Sequence, residues 1–82
     1  MSYQEQEIPK EKLEKYIQVL DSDEGIRIDN KTSLIFINKT ARRYCINTSK
    51  NGHDEFIYKN NPAEVMSFLA DKMDSASKSF AY

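Results

Sequence analysis

Asn51-Gly52 is the strongest local constraint in this chain. It separates two runs rich in β-branched and aromatic residues, "RRYCINT" and "EFIYK". Both residues of the pair tolerate positive φ, which suits the type I′ turn that matches the twist of a two-stranded hairpin. With Asn51-Gly52 at the tip, Lys50 opposes His53, Ser49 opposes Asp54, Asn47 opposes Phe56 and Cys45 opposes Tyr58. A slip of one residue would turn every side chain to the other face, so this register decides what the hairpin presents.

Two further strand-like runs precede the hairpin. "GIRID" alternates Ile26 and Ile28 with polar residues, and "SLIFIN" is apolar at four successive positions. The connections "DNKT", "NKTA" and "SKNGHD" are short and polar, so the four strands are expected to pair antiparallel as a meander over 25–59. A two-residue turn near Asn30 would group Ile26 with Ile35, whereas a three-residue turn would group it with Leu34 and Phe36.

Amphipathic helices flank the meander. Leu13, Tyr16, Ile17 and Leu20 follow i, i+3, i+4, i+7 spacing behind Pro9, which predicts a helix over 9–21 that stops at "DSDEG". Asn61-Pro62-Ala63-Glu64 carries a cap, a first-turn proline and a capping-box glutamate, which predicts a second helix over 61–76. Val65, Phe68, Leu69, Met73 and Ala76 form its stripe, and Met66 and Phe80 widen it. Residues 1–8 are expected to be a flexible N-terminus, and 77–82, "SASKSFAY" in part, a frayed end or tail.

The order α-β-β-β-β-α reads as one small α+β domain of two layers, since 82 residues leave no room for a second core. In "LIFI", Leu34 and Phe36 face one way while Ile35 and Ile37 face the other. Both faces of that strand need cover. Either the two helices take opposite faces, or they share one and the other meets a partner chain, with a homodimer as one form of that outcome.

The lone cysteine and lone histidine invite a catalytic or metal reading, and the hairpin opposes it. Cys45 stands five residues from the turn, roughly 17 Å at ~3.4 Å per residue, while His53 is at the tip. The two cannot share a proton or a metal ion. One Cys and one His also fall short of the three or four ligands of a zinc site. Asp21, Ser22, Asp23 and Glu24 lack the ligand spacing and central glycine of a calcium loop. With Gly25 and Gly52 as the two glycines, there is no Gly-rich phosphate cradle. Neither enzymatic activity, a metal nor a cofactor is expected. The opening "MSYQEQEIPK" is unlike a signal peptide, and the run Leu34 to Ile37 is too short to span a bilayer, so the expected location is the cytosol.

The net charge of −1 conceals a polarity along the chain. Residues 1–25 carry three bases against seven acids, and residues 38–61 carry five bases against two. The segment 38–61 also holds Tyr44, Phe56 and Tyr58, a mix used by single-stranded nucleic-acid platforms. Against that reading, Arg42 and Arg43 are consecutive strand residues that point to opposite faces. A protein-binding module is the leading expectation, because a sheet apolar on both faces and a broad helix arc leave surface for a partner. Its contacts are assigned to Arg42, Arg43, Tyr44, Tyr58, Met66, Phe80 and Tyr82.

The chain is rich in Asn, Lys, Ile, Tyr and Ser, and "MSYQEQEIPKEKLEKYIQVL" and "NKTARRYCINTSKNGHDEFIYKNN" resemble the small accessory proteins of T-even-like phages. In size and soluble character it is similar to their cytoplasmic lysis-inhibition accessory protein. That resemblance implies an antiholin, binding the cytosolic N-terminal segment of a holin and delaying lysis. Phage inhibitors of host defence or transcription proteins have a similar look and also act by binding a protein. No residue role is carried over.

Overall fold

A computed structural model of the protein describes residues 5–82. The fold is α+β. Its elements run β1 (Gln6–Ile8), one turn of 3-10 helix (Lys10–Lys12), α1 (Leu13–Gln18), β2 (Gly25–Asp29), β3 (Leu34–Lys39), β4 (Tyr44–Lys50), β5 (His53–Lys59), α2 (Pro62–Lys72) and β6 (Lys78–Ala81). Among the described residues these strands make one antiparallel six-stranded sheet, in the order β1-β6-β2-β3-β4-β5.

The meander β2–β5 follows the turn chemistry of the sequence. Asn51 and Gly52 have φ of 52° and 80°, and β4 pairs with β5 in the register that a two-residue turn requires, Lys50↔His53 through Tyr44↔Lys59. The connection after β2 has four residues, Asn30 to Ser33, closed by a 2.9 Å bond from Asn30 N–H to the Ser33 carbonyl. Ile26 therefore opposes Ile37 and Ile28 opposes Ile35, so Ile26 shares a face with Ile35 and Ile37 and not with Leu34 and Phe36.

That isoleucine face is the core. Ile26, Ile28, Ile35, Ile37 and Ile46 are fully buried beneath Leu13 and Ile17 of α1, Leu20 after it, and Val65 and Leu69 of α2. Burying each such side chain contributes about 1.5–3 kcal/mol. Both helices lie on this one side and touch each other. The Tyr44 hydroxyl donates a buried 2.8 Å hydrogen bond to the Ile17 carbonyl, which also accepts the Leu20 N–H at 3.3 Å, and so ties β4 to the end of α1.

The helices are shorter than their periodicity suggests. Pro9 opens a 3-10 turn, α1 proper ends at Gln18, and the Asp21 to Glu24 turn follows, with Asp21 N–H bonded to Glu24 Oε1 at 3.0 Å. In α2, Asn61 Oδ1 caps Glu64 N–H at 2.9 Å, and Glu64 Oε1 returns to Asn60 N–H at the same distance. The helix stops at Lys72 because Met73 is extended and Asp74 to Ser77 form a turn. The Ser77 hydroxyl donates to Asn30 Oδ1, joining that turn to the β2–β3 connection.

The two chain ends depart most from expectation. Of the expected flexible segment 1–8, residues 1–4 lie outside the described residues, and Gln6–Ile8 form β1. Lys78–Ala81 are no tail: they are β6, an interior strand between β1 and β2. Alternation explains the placement. Ser79 and Ala81 turn toward the core, while Lys78 and Phe80 turn away.

Candidate functional site: the uncovered sheet face

With both helices on one side, the second face of the sheet carries no helix among the described residues. One row across it runs Glu7, Phe80, Arg27, Phe36, Asn47 and Phe56 through successive strand pairings. On one side of that row stand Tyr82, Asn38, Cys45 and Tyr58, and on the other Lys78, Asp29, Leu34, Ser49 and Asp54. Phe56 and Tyr58 are 60 % and 55 % exposed, Leu34 and Tyr82 are exposed, and Phe36 and Phe80 are half-buried. A shallow depression of about 390 Å³ lies between Phe36, Asn38, Cys45, Phe56 and Tyr82.

Arg27 anchors this face at its centre. Its Nη1 lies 2.6 Å from Glu5 Oε2, its Nε lies 2.9 Å from Asp29 Oδ1, and its guanidinium carbon sits 4.7 Å from the Phe80 ring centroid. Burial works against the guanidinium charge, but the hydrogen bonds and charges of Glu5 and Asp29 outweigh it and raise its pKa. Arg27 is therefore already paired. The Tyr82 phenol is raised from its ordinary value by burial first and by Glu5 second, with Arg27 and Asn38 pulling the other way. Counting Glu5, Glu7, Asp29 and Asp54 against Arg27 and Lys78, the face carries four acids and two bases, a net −2 among the described residues.

The seven residues expected to form a contact surface do not come together. Phe80, Tyr82 and Tyr58 share the uncovered face. Met66 is half-buried against the core on the opposite side. Tyr44 is 3 % exposed beneath α1, where its hydroxyl is committed to Ile17, so it is a core residue and not a contact. Arg42 and Arg43 do not alternate across a strand. They are exposed in the loop between β3 and β4, where Thr40 N–H bonds to the Arg43 carbonyl at 2.8 Å.

Arg27, Phe36 and Phe56 were absent from the expected set. The signal for them was available in the alternation: Phe36 lies between the core residues Ile35 and Ile37, and Phe56 shares a face with Tyr58 across Ile57.

The hairpin also separates its own chemistry. Cys45 lies on the uncovered face, whereas His53 lies on the helix side with Thr48, Lys50 and Glu55. Lys50 and Lys59 fall on that same helix side, away from Phe56 and Tyr58. Among the described residues no three His, Cys, Asp or Glu side chains form a cluster able to hold a metal, and no helix is long and apolar enough to cross a membrane. Comparison with protein-family models, curated proteins and solved structures finds no match to this chain.

Proposed function

We propose that this chain is a non-enzymatic protein-binding regulator of the cytosol whose contact surface is the uncovered sheet face. One observation carries the reading: both helices occupy the same face, which leaves Phe36, Phe56, Tyr58, Phe80 and Tyr82 together on the other. Aromatic side chains grouped on one surface supply large contact area at low entropic cost, and a rim of opposite charge orients the encounter. The net −2 of this face favours a partner segment that is apolar and basic. It opposes a nucleic-acid strand, whose phosphates need bases beside the stacking rings. Here the hairpin's lysines stand on the far side from its exposed aromatics.

The resemblance to phage lysis-inhibition proteins names one such partner, the cytosolic N-terminal segment of a holin. A host defence or transcription protein is the other kind the resemblance suggests. The decisive experiment captures binding proteins from the natural host with the tagged full chain, beside Leu34→Lys and Phe36→Ser variants. A stoichiometric protein held by the native chain and lost by both variants, with cooperative unfolding retained, supports the reading. Capture that ignores both substitutions, or no stoichiometric protein, refutes it. For the holin version, co-expression with the cognate holin should delay lysis, and unchanged timing excludes it.

A further inference from the structure

The outer edge of β5 pairs with no other strand among the described residues. The edge at the other end of the sheet is short: β1 has three residues and runs into Pro9. β5 instead presents seven regular residues without proline or glycine. Its free hydrogen-bonding groups can be assigned. A two-residue turn makes Lys50 and His53 a hydrogen-bonded pair, so His53, Glu55, Ile57 and Lys59 direct their N–H and C=O groups toward β4. The Thr40–Arg43 bond at the other end of β4 sets the same alternation. Asp54, Phe56 and Tyr58 therefore direct theirs outward.

We propose that this edge pairs antiparallel with the β5 edge of a second copy, about a two-fold axis through Ile57, joining two sheets into one. The occupant follows from the side chains. Centred on Ile57, the register sets Ile57 against Ile57, Glu55 of each copy against Lys59 of the other, and Phe56 of each against Tyr58 of the other. Unlike charges meet twice and aromatics meet twice, and Phe56 and Tyr58 are two of the three residues whose backbone groups point outward. The neighbouring symmetric registers lack this match. Centring on Glu55 sets two carboxylates face to face, and centring on Phe56 sets Ile57 against Glu55 and Lys59 against His53. Like charges directly opposite destabilise a strand pair, and opposite charges or aromatics stabilise it.

The helix side is shaped for the same neighbour. A groove of about 400 Å³ runs beside β5 against α2, between Lys59, Glu64, Phe68 and Asp71. It leaves room for the second copy's Ile57 and Glu55. On the other side the uncovered faces of the two copies become continuous, with the Phe56–Tyr58 pairs at their seam. The pairing stands independently of what binds that face.

The test is the mass of the full chain in solution by sedimentation equilibrium, with charge reversal across the seam. The native chain is expected as a dimer. Glu55→Lys alone should weaken it about tenfold or more, and adding Lys59→Glu should restore it. In a Cys45→Ser background, Ile57→Cys should oxidise to a disulfide-linked dimer, whereas Asp54→Cys should not. A chain that stays monomeric at high micromolar concentration overturns the proposal and leaves the uncovered-face reading standing. So does a dimer that Glu55→Lys leaves unchanged, or one that cross-links through Asp54→Cys or Phe36→Cys in place of Ile57→Cys.

Discussion

The ring of Tyr82 occupies the space that a side chain at position 25 would fill. A Cβ placed on Gly25 would stand 2.5 Å from Tyr82 Cζ, and the two residues exchange backbone hydrogen bonds of 3.0 Å in both directions. Glycine weakens a strand interior by its lost entropy and bare backbone, and an aromatic across the pair covers that backbone. The clash that a methyl would create falls on the far end of a movable side chain. Gly25→Ala is therefore expected to displace the ring and leave the strand intact. The stability change should stay within about 1 kcal/mol, because alanine at a compatible position recovers about 0.4–1 kcal/mol. A double-mutant cycle with Tyr82→Ala, followed by urea unfolding, checks this: the two effects should be less than additive, and strict additivity would contradict the contact.

The same ring sets a pH dependence. Burial, then Glu5, raises the Tyr82 phenol above its ordinary value near 10. A raised pKa means that the unfolded chain releases this proton first, so the Tyr82 contribution is complete below pH 10 and declines as pH rises from there through the folded value. The native chain should lose stability over that window more steeply than Tyr82→Phe, which has no proton to release. Denaturation midpoints measured for both across alkaline pH decide it. Parallel curves would mean that folding leaves the Tyr82 phenol unshifted.

Ser79 offers a prediction of opposite sign. Its side chain is buried, between Ile8 and Ile28 in the strand pairings, and its hydroxyl has no hydrogen-bond partner among the described residues. An unpaired buried polar group costs about 1–3 kcal/mol. Ser79→Ala removes that cost with little change of volume, so the melting temperature should rise. A fall would show that the hydroxyl is bonded after all.

The parts of the fold legible in the sequence are those made by neighbours along the chain. Asn51-Gly52 specified the hairpin register because the conformation of two adjacent residues decides it. Asn61, Pro62 and Glu64 likewise marked the start of α2 through contacts within one turn. β6 was opaque for the converse reason. A serine-rich segment has no strand propensity of its own, and Lys78–Ala81 extend only because β1 and β2 supply hydrogen bonds on both sides. The candidate face was legible in half. Phe36 and Phe56 follow from alternation once the core side is known, but knowing which side both helices choose requires the tertiary packing. Tyr44 shows the same limit, because its aromatic character suits a surface contact and a core equally, and its alignment with Ile46 decides between them.

The position of β6 also shapes the order in which the molecule can assemble. The hairpins of β2 to β5 close over short loops, at low entropic cost, and can form while the rest of the chain is still searching. β6 meets β2 only after the whole meander and α2 have been traversed, and β1 can then dock only on β6. Until that closure, β2 is itself an edge, with its outward N–H and C=O groups open to any extended chain nearby. A competing strand inserted there in place of β6 would block that closure and keep β1 from docking.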